Sequence, residues 1–258
     1  MKKKYVFHQF VKLERGSVNT CISDFLTGDI FQAPNTLIEK FEQGKYSEIP
    51  DFIASLKEAV LIIHVDENAW VPPIHKEEKE DEESKEISLL LELEEGVEID
   101  SLLNYLESKG IHIMTIHLFG ESGGPDEIIS GVPVKKLYKD FSICKSLSTV
   151  TGNFEGINER TYFHYKKFNP CWGSKIAITK DLSVRPCIYS GLIFGNIAEP
   201  DGSNWEDIWN KADKCRRITK SQVKRCKECE FKFICFDCRE IARVEGGDLF
   251  AENPNCHK

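Results

Sequence analysis

The first residues of the chain alternate between apolar and polar positions over short stretches. Residues 5–13, 18–25 and 30–33 are rich in aromatic and β-branched side chains and are separated by glycine-containing turns, a pattern that predicts three strands. Residues 34–44 and 47–58 carry apolar side chains at helical spacing, which predicts two helices. Residues 1–58 are therefore expected to fold as three strands followed by helices.

The middle of the chain has a different pattern. Residues 60–65 and 87–93 are short apolar runs that predict strands, the first of them buried. Asp100 can begin a helix that ends at Gly110, and residues 111–119 predict the next strand. Strand, helix and strand in this order predict a parallel, right-handed βαβ unit. The charged run at 76–86 predicts a solvated loop and residues 120–125 a turn, whereas residues 130–160 give no clear pattern.

Composition narrows the class of protein. The 258 residues are 41% hydrophobic and 29% charged, which is enough apolar content for a packed core. The net charge of -8 disfavours non-specific nucleic-acid binding, because such binding depends on neutralising phosphates. No apolar run approaches the roughly 20 residues that span a bilayer, and no signal-peptide pattern follows the first lysines. We expect a soluble cytoplasmic protein that binds neither nucleic acid nor membrane.

Cysteine is unusually frequent and unevenly placed. Of ten cysteines, Cys21 and Cys144 stand alone in the sequence. The other eight lie in the last third of the chain, at positions Cys171, Cys187, Cys215, Cys226, Cys229, Cys235, Cys238 and Cys256. Because the cytosol keeps thiols reduced, this cluster predicts metal ligands or redox centres rather than disulfides.

Two pairs of cysteines, Cys226/Cys229 and Cys235/Cys238, each enclose two residues. This spacing lets both thiolates of a pair reach one metal while backbone N–H groups turn toward the sulfurs. A zinc ribbon usually separates its pairs by about 15–20 residues, far more than the loop between Cys229 and Cys235. One zinc site would also leave several cysteines without a role, so the spacing favours one or two 4Fe-4S clusters and keeps zinc as the alternative.

The C-terminal region resembles the SPASM domain, the cluster-binding extension of peptide-modifying radical SAM enzymes. The resemblance covers residues 166–258 and rests on the order of the cysteines, together with Gly195-Asn196-Ile197 and the Trp205–Trp209 segment between them. It implies that one cluster is held by Cys226, Cys229, Cys235 and Cys256. It implies a second cluster held by Cys171, Cys187 and Cys238.

The chain departs from the SPASM pattern at two places. Cys235 and Cys238 enclose two residues where the family has three, and the family's cysteine shortly before Cys171 is missing. The resemblance therefore leaves the fourth ligand of the second cluster without a matching cysteine. His164 and Cys215 are the candidates for this position, which would be the eighth ligand of the two clusters together. The position could instead stay open for a substrate or water.

A radical SAM enzyme also needs a CxxxCxxC motif, and the two cysteines before Cys171 do not provide one. Residues 59–165 have room for fewer βα units than the partial barrel of such an enzyme contains. The chain is therefore not expected to cleave SAM on its own. A SPASM protein without this motif is similar to the SPASM component of grasp-with-spasm systems, which mature ribosomally made peptides beside an ATP-grasp ligase. Residues 164–173 and 234–239 carry this likeness.

The resemblance implies an α+β protein of three parts. Residues 1–58 look like a small winged-helix-like peptide-recognition domain, which could bind a precursor peptide at a sheet edge. Residues 59–165 would be a truncated, barrel-like βαβ region, and residues 166–258 an irregular, cysteine-rich iron–sulfur domain. The expected partners are the precursor peptide and an ATP-grasp ligase. The alternative is a zinc-stapled, peptide-binding adaptor without redox chemistry; whether the protein is itself a catalyst stays open.

Overall fold

The computed structural model describes residues 3–68, 86–92, 98–120, 127–138, 157–198, 205–254 and 256. Within them the chain is a mixed α+β protein that divides into two compact units. Unit 1 contains residues 3–68, 157–163 and 225–235, and unit 2 contains the remaining described residues. None of the helices in these ranges is long and apolar enough to cross a membrane. Most of the charged run, the turn after residue 120 and Cys144 lie outside the described residues.

Unit 1 contains two small antiparallel sheets. The strand β1 (Lys3–Phe7) pairs with β5 (Ile62–Asp66), and β2 (Val11–Arg15), β3 (Asn19–Asp24) and β4 (Ile30–Pro34) form a three-stranded sheet in that order. Helices α1 (Asn35–Glu42) and α2 (Pro50–Glu58) follow β4. One buried core joins these elements, and its most buried members are Ile22, Ala33, Ile38, Phe41, Leu56 and Leu61.

Two of the expectations for this region are wrong in detail. Residues 5–13 form two strands rather than one, because the chain turns between them with the Val11 N–H donating to the His8 carbonyl at 3.0 Å. The strand at residues 60–65 is not buried throughout. Ile62 is 7% exposed but Ile63 is 40% exposed, because β5 pairs with β1 alone among the described strands.

The segment 225–235, which carries three of the cysteines, packs on the β2–β3 hairpin within unit 1. The Ser17 N–H donates to the Glu228 carbonyl at 2.9 Å, and Lys232 Nζ lies 2.6 Å from Glu14 Oε1. Gly16 lies so close to Glu230 that an added Cβ would be 2.7 Å from the Glu230 backbone nitrogen. The hairpin and the cysteine segment are therefore fitted to each other at backbone level.

Gly16→Ala should loosen this packing. The added methyl group would meet backbone atoms that have no freedom to rotate away, and we expect a loss of about 1–3 kcal/mol from the free energy of unfolding. Urea denaturation checks this value, with Ser17→Ala as a control because the Ser17 side chain is exposed and its N–H bond is retained. Equal stability of the two variants would contradict the close approach.

Unit 2 is built on a seven-stranded sheet. Its strand order is β12 (Gly195–Asn196), β11 (Ser183–Arg185), β10 (Lys175–Ile178), β6 (Glu86–Leu91), β7 (His112–Gly120), β9 (Val132–Tyr138) and β8 (Glu127–Ile129). The four central strands, from β10 to β9, are parallel, whereas the outer strands are antiparallel. The helix α3 (Ile99–Ser108) connects β6 to β7, so the predicted parallel βαβ unit is confirmed.

The two faces of this sheet differ. One face packs against α3 and α5 (Trp205–Arg216) in the largest apolar core, which includes Leu89, Ile116, Val134, Ile176, Leu106 and Trp209. The other face contributes Leu90 and Ala177 to a smaller cluster that contains Cys171, Trp172, Cys187 and Ile188. The remaining α-helices of the described residues are α4 (Glu159–Lys167) and α6 (Arg239–Gly246). The smaller cluster brings two of the predicted ligands onto the sheet.

Candidate metal centre

Asn169 shapes the turn that carries Cys171. Its side-chain Oδ1 accepts the backbone N–H groups of Cys171 and Trp172 at 2.9 and 2.8 Å. Its Nδ2 donates to the carbonyl of Ile218, which anchors the turn. Gly173 closes the turn, and a Cβ there would lie 2.4 Å from the Asn169 carbonyl oxygen. The turn therefore needs both an asparagine and a glycine to hold Cys171 in place.

Glu240 connects the Cys187 loop to α6. Cys187 lies just after β11, and the Ser190 N–H donates to its carbonyl at 3.1 Å. The Ser190 hydroxyl and the Gly191 N–H donate to the two carboxylate oxygens of Glu240 at 2.7 and 3.1 Å. Arg243 also donates to this carboxylate. Since Cys238 immediately precedes α6, Glu240 fixes the distance between the loop of Cys187 and Cys238.

A buried ionic network lies on both sides of Cys238. Asp237 and Arg239 are fully buried, with Arg239 Nη2 donating to Asp237 Oδ1 at 2.6 Å. Lys220, also buried, lies 3.9 Å from the same carboxylate oxygen. Arg239 Nη1 donates to the carbonyls of Leu249 and Ala251 at 3.0 and 2.7 Å. The network therefore ties Cys238 to the C-terminal segment of unit 2.

The thiols of Cys171, Cys187 and Cys238 interact with one another. A hydrogen bond between the thiols of Cys171 and Cys238 favours the Cys171 thiolate, which lowers the pKa of Cys171 and raises that of Cys238. Burial and, to a smaller extent, the neighbouring charge of Cys171 raise the pKa of Cys187 to about 12. Three buried sulfurs from separate segments thus share one electrostatic environment.

Positive groups lie beside these thiols. Lys175 hydrogen-bonds to Cys171 and favours the thiolates of both Cys171 and Cys187. The backbone N–H groups of Tyr189 and Ile241 favour the thiolates of Cys187 and Cys238 respectively. Thiolates that bind a metal or cluster commonly need this kind of stabilisation.

The residues suit a thiolate-bound metal or cluster by donor type, although the described part of the chain forms no preformed metal cage. Among the described residues, no group of three or more cysteine, histidine or acidic side chains is close enough to hold a metal ion. The donor type, however, suits both an iron–sulfur cluster and zinc. In addition, the indole N–H of Trp172 is fully buried and has no hydrogen-bond partner in the part of the chain described. A sulfur acceptor in the cluster of Cys171 and Cys187 would satisfy it.

The other predicted ligand set lies partly in unit 1. Cys226 and Cys235 are buried and Cys229 is half-buried, with the Cys229 N–H donating to the Cys226 carbonyl at 3.0 Å. Cys256 belongs to unit 2, where its N–H donates to the Asn253 carbonyl at 2.9 Å.

Cys21 does not stand alone, contrary to its isolation in the sequence. It is fully buried in unit 1 against Phe233 and Ile234, and it accepts or donates a hydrogen bond with Ser23 at 3.5 Å. Burial, with smaller contributions from the neighbouring Glu230, Glu14 and Cys229, raises its pKa to about 11. No local sequence pattern indicates that Cys21 lies near Cys229, because the two positions are far apart along the chain.

Both candidates for the missing eighth ligand lie in unit 2. The Nε2 atom of His164 would be 3.0 Å from a Cβ at Gly173, which places the imidazole beside the Cys171 turn. Cys215 packs at the edge of the apolar cluster that contains Cys171 and Cys187. Burial alone raises the pKa of Cys215. The choice between these two side chains, a substrate and water stays open.

No protein-family model matches the chain, and no curated protein or solved structure gives a match. The resemblance to the SPASM domain therefore stays a prediction that rests on the order of the cysteines and the segments between them.

The residues that hold the cysteines in place were not anticipated from the sequence. They are the polar side chains Asn169, Lys175, Asp237, Arg239 and Glu240. Charged residues are usually exposed, so nothing in a single sequence marks these as buried. The one available signal is position, since Asp237 and Arg239 flank Cys238 directly and Glu240 follows Arg239.

Glu240 should make the stability of the protein sensitive to acid. Burial by itself would raise its pKa, but the hydrogen bonds from Arg243, Ser190 and Gly191 outweigh burial and lower it. A carboxyl group whose folded pKa is depressed stabilises the fold above its unfolded pKa, and that contribution is lost as the pH falls through the folded pKa. Between about pH 5 and pH 3 the free energy of unfolding should therefore fall more steeply in the wild type than in Glu240→Gln.

Urea denaturation at a series of pH values measures this difference. Glu107→Gln, which removes an exposed carboxylate from α3, is the control and should follow the wild-type curve. Parallel curves for the wild type and Glu240→Gln would show that the carboxylate does not stabilise the loop of Cys187.

Proposed function

We propose that this protein is a SPASM-like iron–sulfur protein that takes part in maturing a ribosomally made peptide beside an ATP-grasp ligase. The observation that carries the proposal is the burial of Cys171, Cys187 and Cys238, with Cys171 and Cys187 in one apolar cluster and a hydrogen bond between the thiols of Cys171 and Cys238. These cysteines come from three separate segments, and dedicated polar contacts hold each segment. Binding one common metal or cluster explains why thiols from three segments are held in this way. Filling an apolar core explains it less well.

In this proposal, Cys171, Cys187 and Cys238 hold one 4Fe-4S cluster, and Cys226, Cys229, Cys235 and Cys256 hold the other. A bound cluster would supply an electron-transfer centre or, at an iron without a fourth protein ligand, a place for a substrate atom. Lys175 would balance part of the negative charge of the first site, because it already favours the thiolates of Cys171 and Cys187. The same thiols could hold zinc, and that outcome would favour the adaptor function.

The missing CxxxCxxC motif leads us to propose that the chain does not generate radicals from SAM by itself. Reconstituted and reduced protein incubated with SAM should give no more 5′-deoxyadenosine than a sample without protein. Formation of 5′-deoxyadenosine above that background would overturn this part of the proposal.

The precursor peptide is proposed to bind unit 1 by adding a strand to a sheet edge. The β1 edge is occupied at its centre, because the Tyr5 N–H donates to the Tyr46 hydroxyl and that hydroxyl donates to the Tyr5 carbonyl, both at 3.2 Å. On β2, the Arg15 carbonyl accepts a hydrogen bond from Lys232. The other outer strand of the three-stranded sheet, β4, pairs only with β3 among the described strands. An extended peptide could therefore complete the sheet at β4.

Amide hydrogen exchange on the full-length protein tests this partner. A precursor peptide encoded by a neighbouring gene should bind with about micromolar affinity, or ~8 kcal/mol. It should slow exchange at residues 30–34 and leave residues 3–7 unchanged. Binding that protects neither strand would move the site elsewhere, and a complete lack of binding would remove the peptide from the proposal.

A further inference from the structure

The second face of the unit 2 sheet carries polar side chains beside the apolar Leu90 and Ala177. Parallel strands inside a sheet are usually apolar on both faces, because helices or other elements cover them. Here the residues that alternate with the main-core side chains of β6, β7, β9 and β10 include several polar ones. They form a polar strip, which consists of Lys175, Ser88, Thr115, His117 and Lys135.

The pairing of the strands places these residues next to one another. Lys175 pairs with Ser88, and Ser88 pairs with Thr115, so they form one row across β10, β6 and β7. In the next row, His117 pairs with Lys135 on β9, whereas the β6 and β10 members of that row, Leu90 and Ala177, are apolar. All are half-buried except Lys135, which is exposed. The strip therefore presents hydroxyl, imidazole and ammonium groups on one accessible surface.

The charges of the strip act on each other and on the cysteines. Burial lowers the pKa of His117, and the positive charges of Lys175 and Lys135 lower it further, so both lysines lie near the imidazole. Lys175 also hydrogen-bonds to the Cys171 thiol. The strip thus extends from the buried thiols at one end to the exposed Lys135 at the other.

We propose that the polar strip binds a carboxylate of the substrate and holds it beside the cysteine site. Two ammonium groups supply the charge, and the imidazole and the hydroxyls of Ser88 and Thr115 supply hydrogen-bond donors suited to an anionic oxygen. The inference rests on the proposed function in one respect, because it takes the substrate to be a peptide. It adds the class of side chain that the site selects, which is an acidic one.

Calorimetric titration of the full-length protein with two capped tetrapeptides tests this inference. One peptide has the sequence Ala-Glu-Glu-Ala and the other Ala-Gln-Gln-Ala, so they differ only in carboxylates. The wild type should bind the glutamate peptide at least about tenfold more tightly, as expected for charge-assisted hydrogen bonds. A variant with both His117→Gln and Lys135→Gln should lose this preference.

Lys136→Gln is the matched control. It removes the same charge from the neighbouring residue of β9, which alternates to the other face and lies 3.2 Å from Glu127. This variant should keep the wild-type preference. If the double variant does not fold, Lys135→Gln alone decides, because that side chain is exposed, and it should reduce the preference by at least about threefold.

An absence of preference in the wild type, its survival in the His117 and Lys135 variants, or an equal loss in Lys136→Gln would each overturn the carboxylate site. Iron, zinc and sulfide are measured in the same samples. A carboxylate preference in protein without iron or sulfide would support the strip and reject the iron–sulfur proposal. Protein with iron and sulfide but no carboxylate preference would reject the strip alone.

Discussion

Replacing Asp237 with alanine should lower the free energy of unfolding of unit 2 by about 3–5 kcal/mol, because it leaves a buried cation without its counter-charge. Asp237 and Arg239 are both fully buried, and Arg239 Nε lies 2.5 Å from Asp237 Oδ2. Lys220 is also buried near this carboxylate. Water has no access to compensate either cation once the carboxylate is removed, so the loss should far exceed that of a surface ion pair.

Urea denaturation measures the loss, and amide hydrogen exchange locates it. Residues 248–252 should exchange faster in Asp237→Ala, because Arg239 holds the carbonyls of Leu249 and Ala251. Glu127→Ala is the matched control, since it breaks an exposed ion pair with Lys136 and should cost less than about 1 kcal/mol. Equal costs for the two variants would show that the Asp237 network does not hold the C-terminal segment.

Cys238→Ser should remove one of the two proposed clusters and leave the other. Cys238 shares a hydrogen bond with Cys171 and lies near Cys187, so its loss takes away one of three protein ligands of that site. We expect the iron content of anaerobically purified protein to fall by about four atoms. Because ligand binding and folding are linked, the thermal stability of unit 2 should fall as well.

Cys229→Ser is the comparison, since Cys229 belongs to the other proposed ligand set and to unit 1. It should also remove about four irons, and the variant with both substitutions should lose nearly all of them. Full iron content in Cys238→Ser would exclude Cys238 as a ligand. Complete loss of iron in either single variant would show that the two sites do not form independently.

Local patterns along the chain predict much of the fold. Apolar periodicity and turn residues place α1, α2, α3, β6 and β7, and the short connection through α3 leads to the parallel pairing of β6 with β7. The prediction of a single strand at residues 5–13 is wrong. A turn at His8, which carries no glycine or proline, ends β1, and β1 pairs with β5. Sequence patterns predict elements well, but they do not predict which distant strand becomes the partner.

At the cysteine site, too, sequence features predict the local elements but not the long-range contacts. The resemblance to the SPASM domain implies that Cys171, Cys187 and Cys238 share one site. In the structure Cys171 and Cys187 lie in one apolar cluster, and a hydrogen bond joins the thiols of Cys171 and Cys238. The contact of Cys21 with Phe233 and Ile234 depends on long-range packing that no local pattern encodes. The same holds for Asp237 and Arg239, because their burial depends on the carbonyl groups of a later segment.

The most direct test of the account is the iron, zinc and acid-labile sulfide content of the full-length protein purified without oxygen. Two 4Fe-4S clusters predict about eight irons and about eight sulfides per chain, together with a brown colour. Stoichiometric zinc without sulfide, or a colourless protein without any bound metal, would contradict the account.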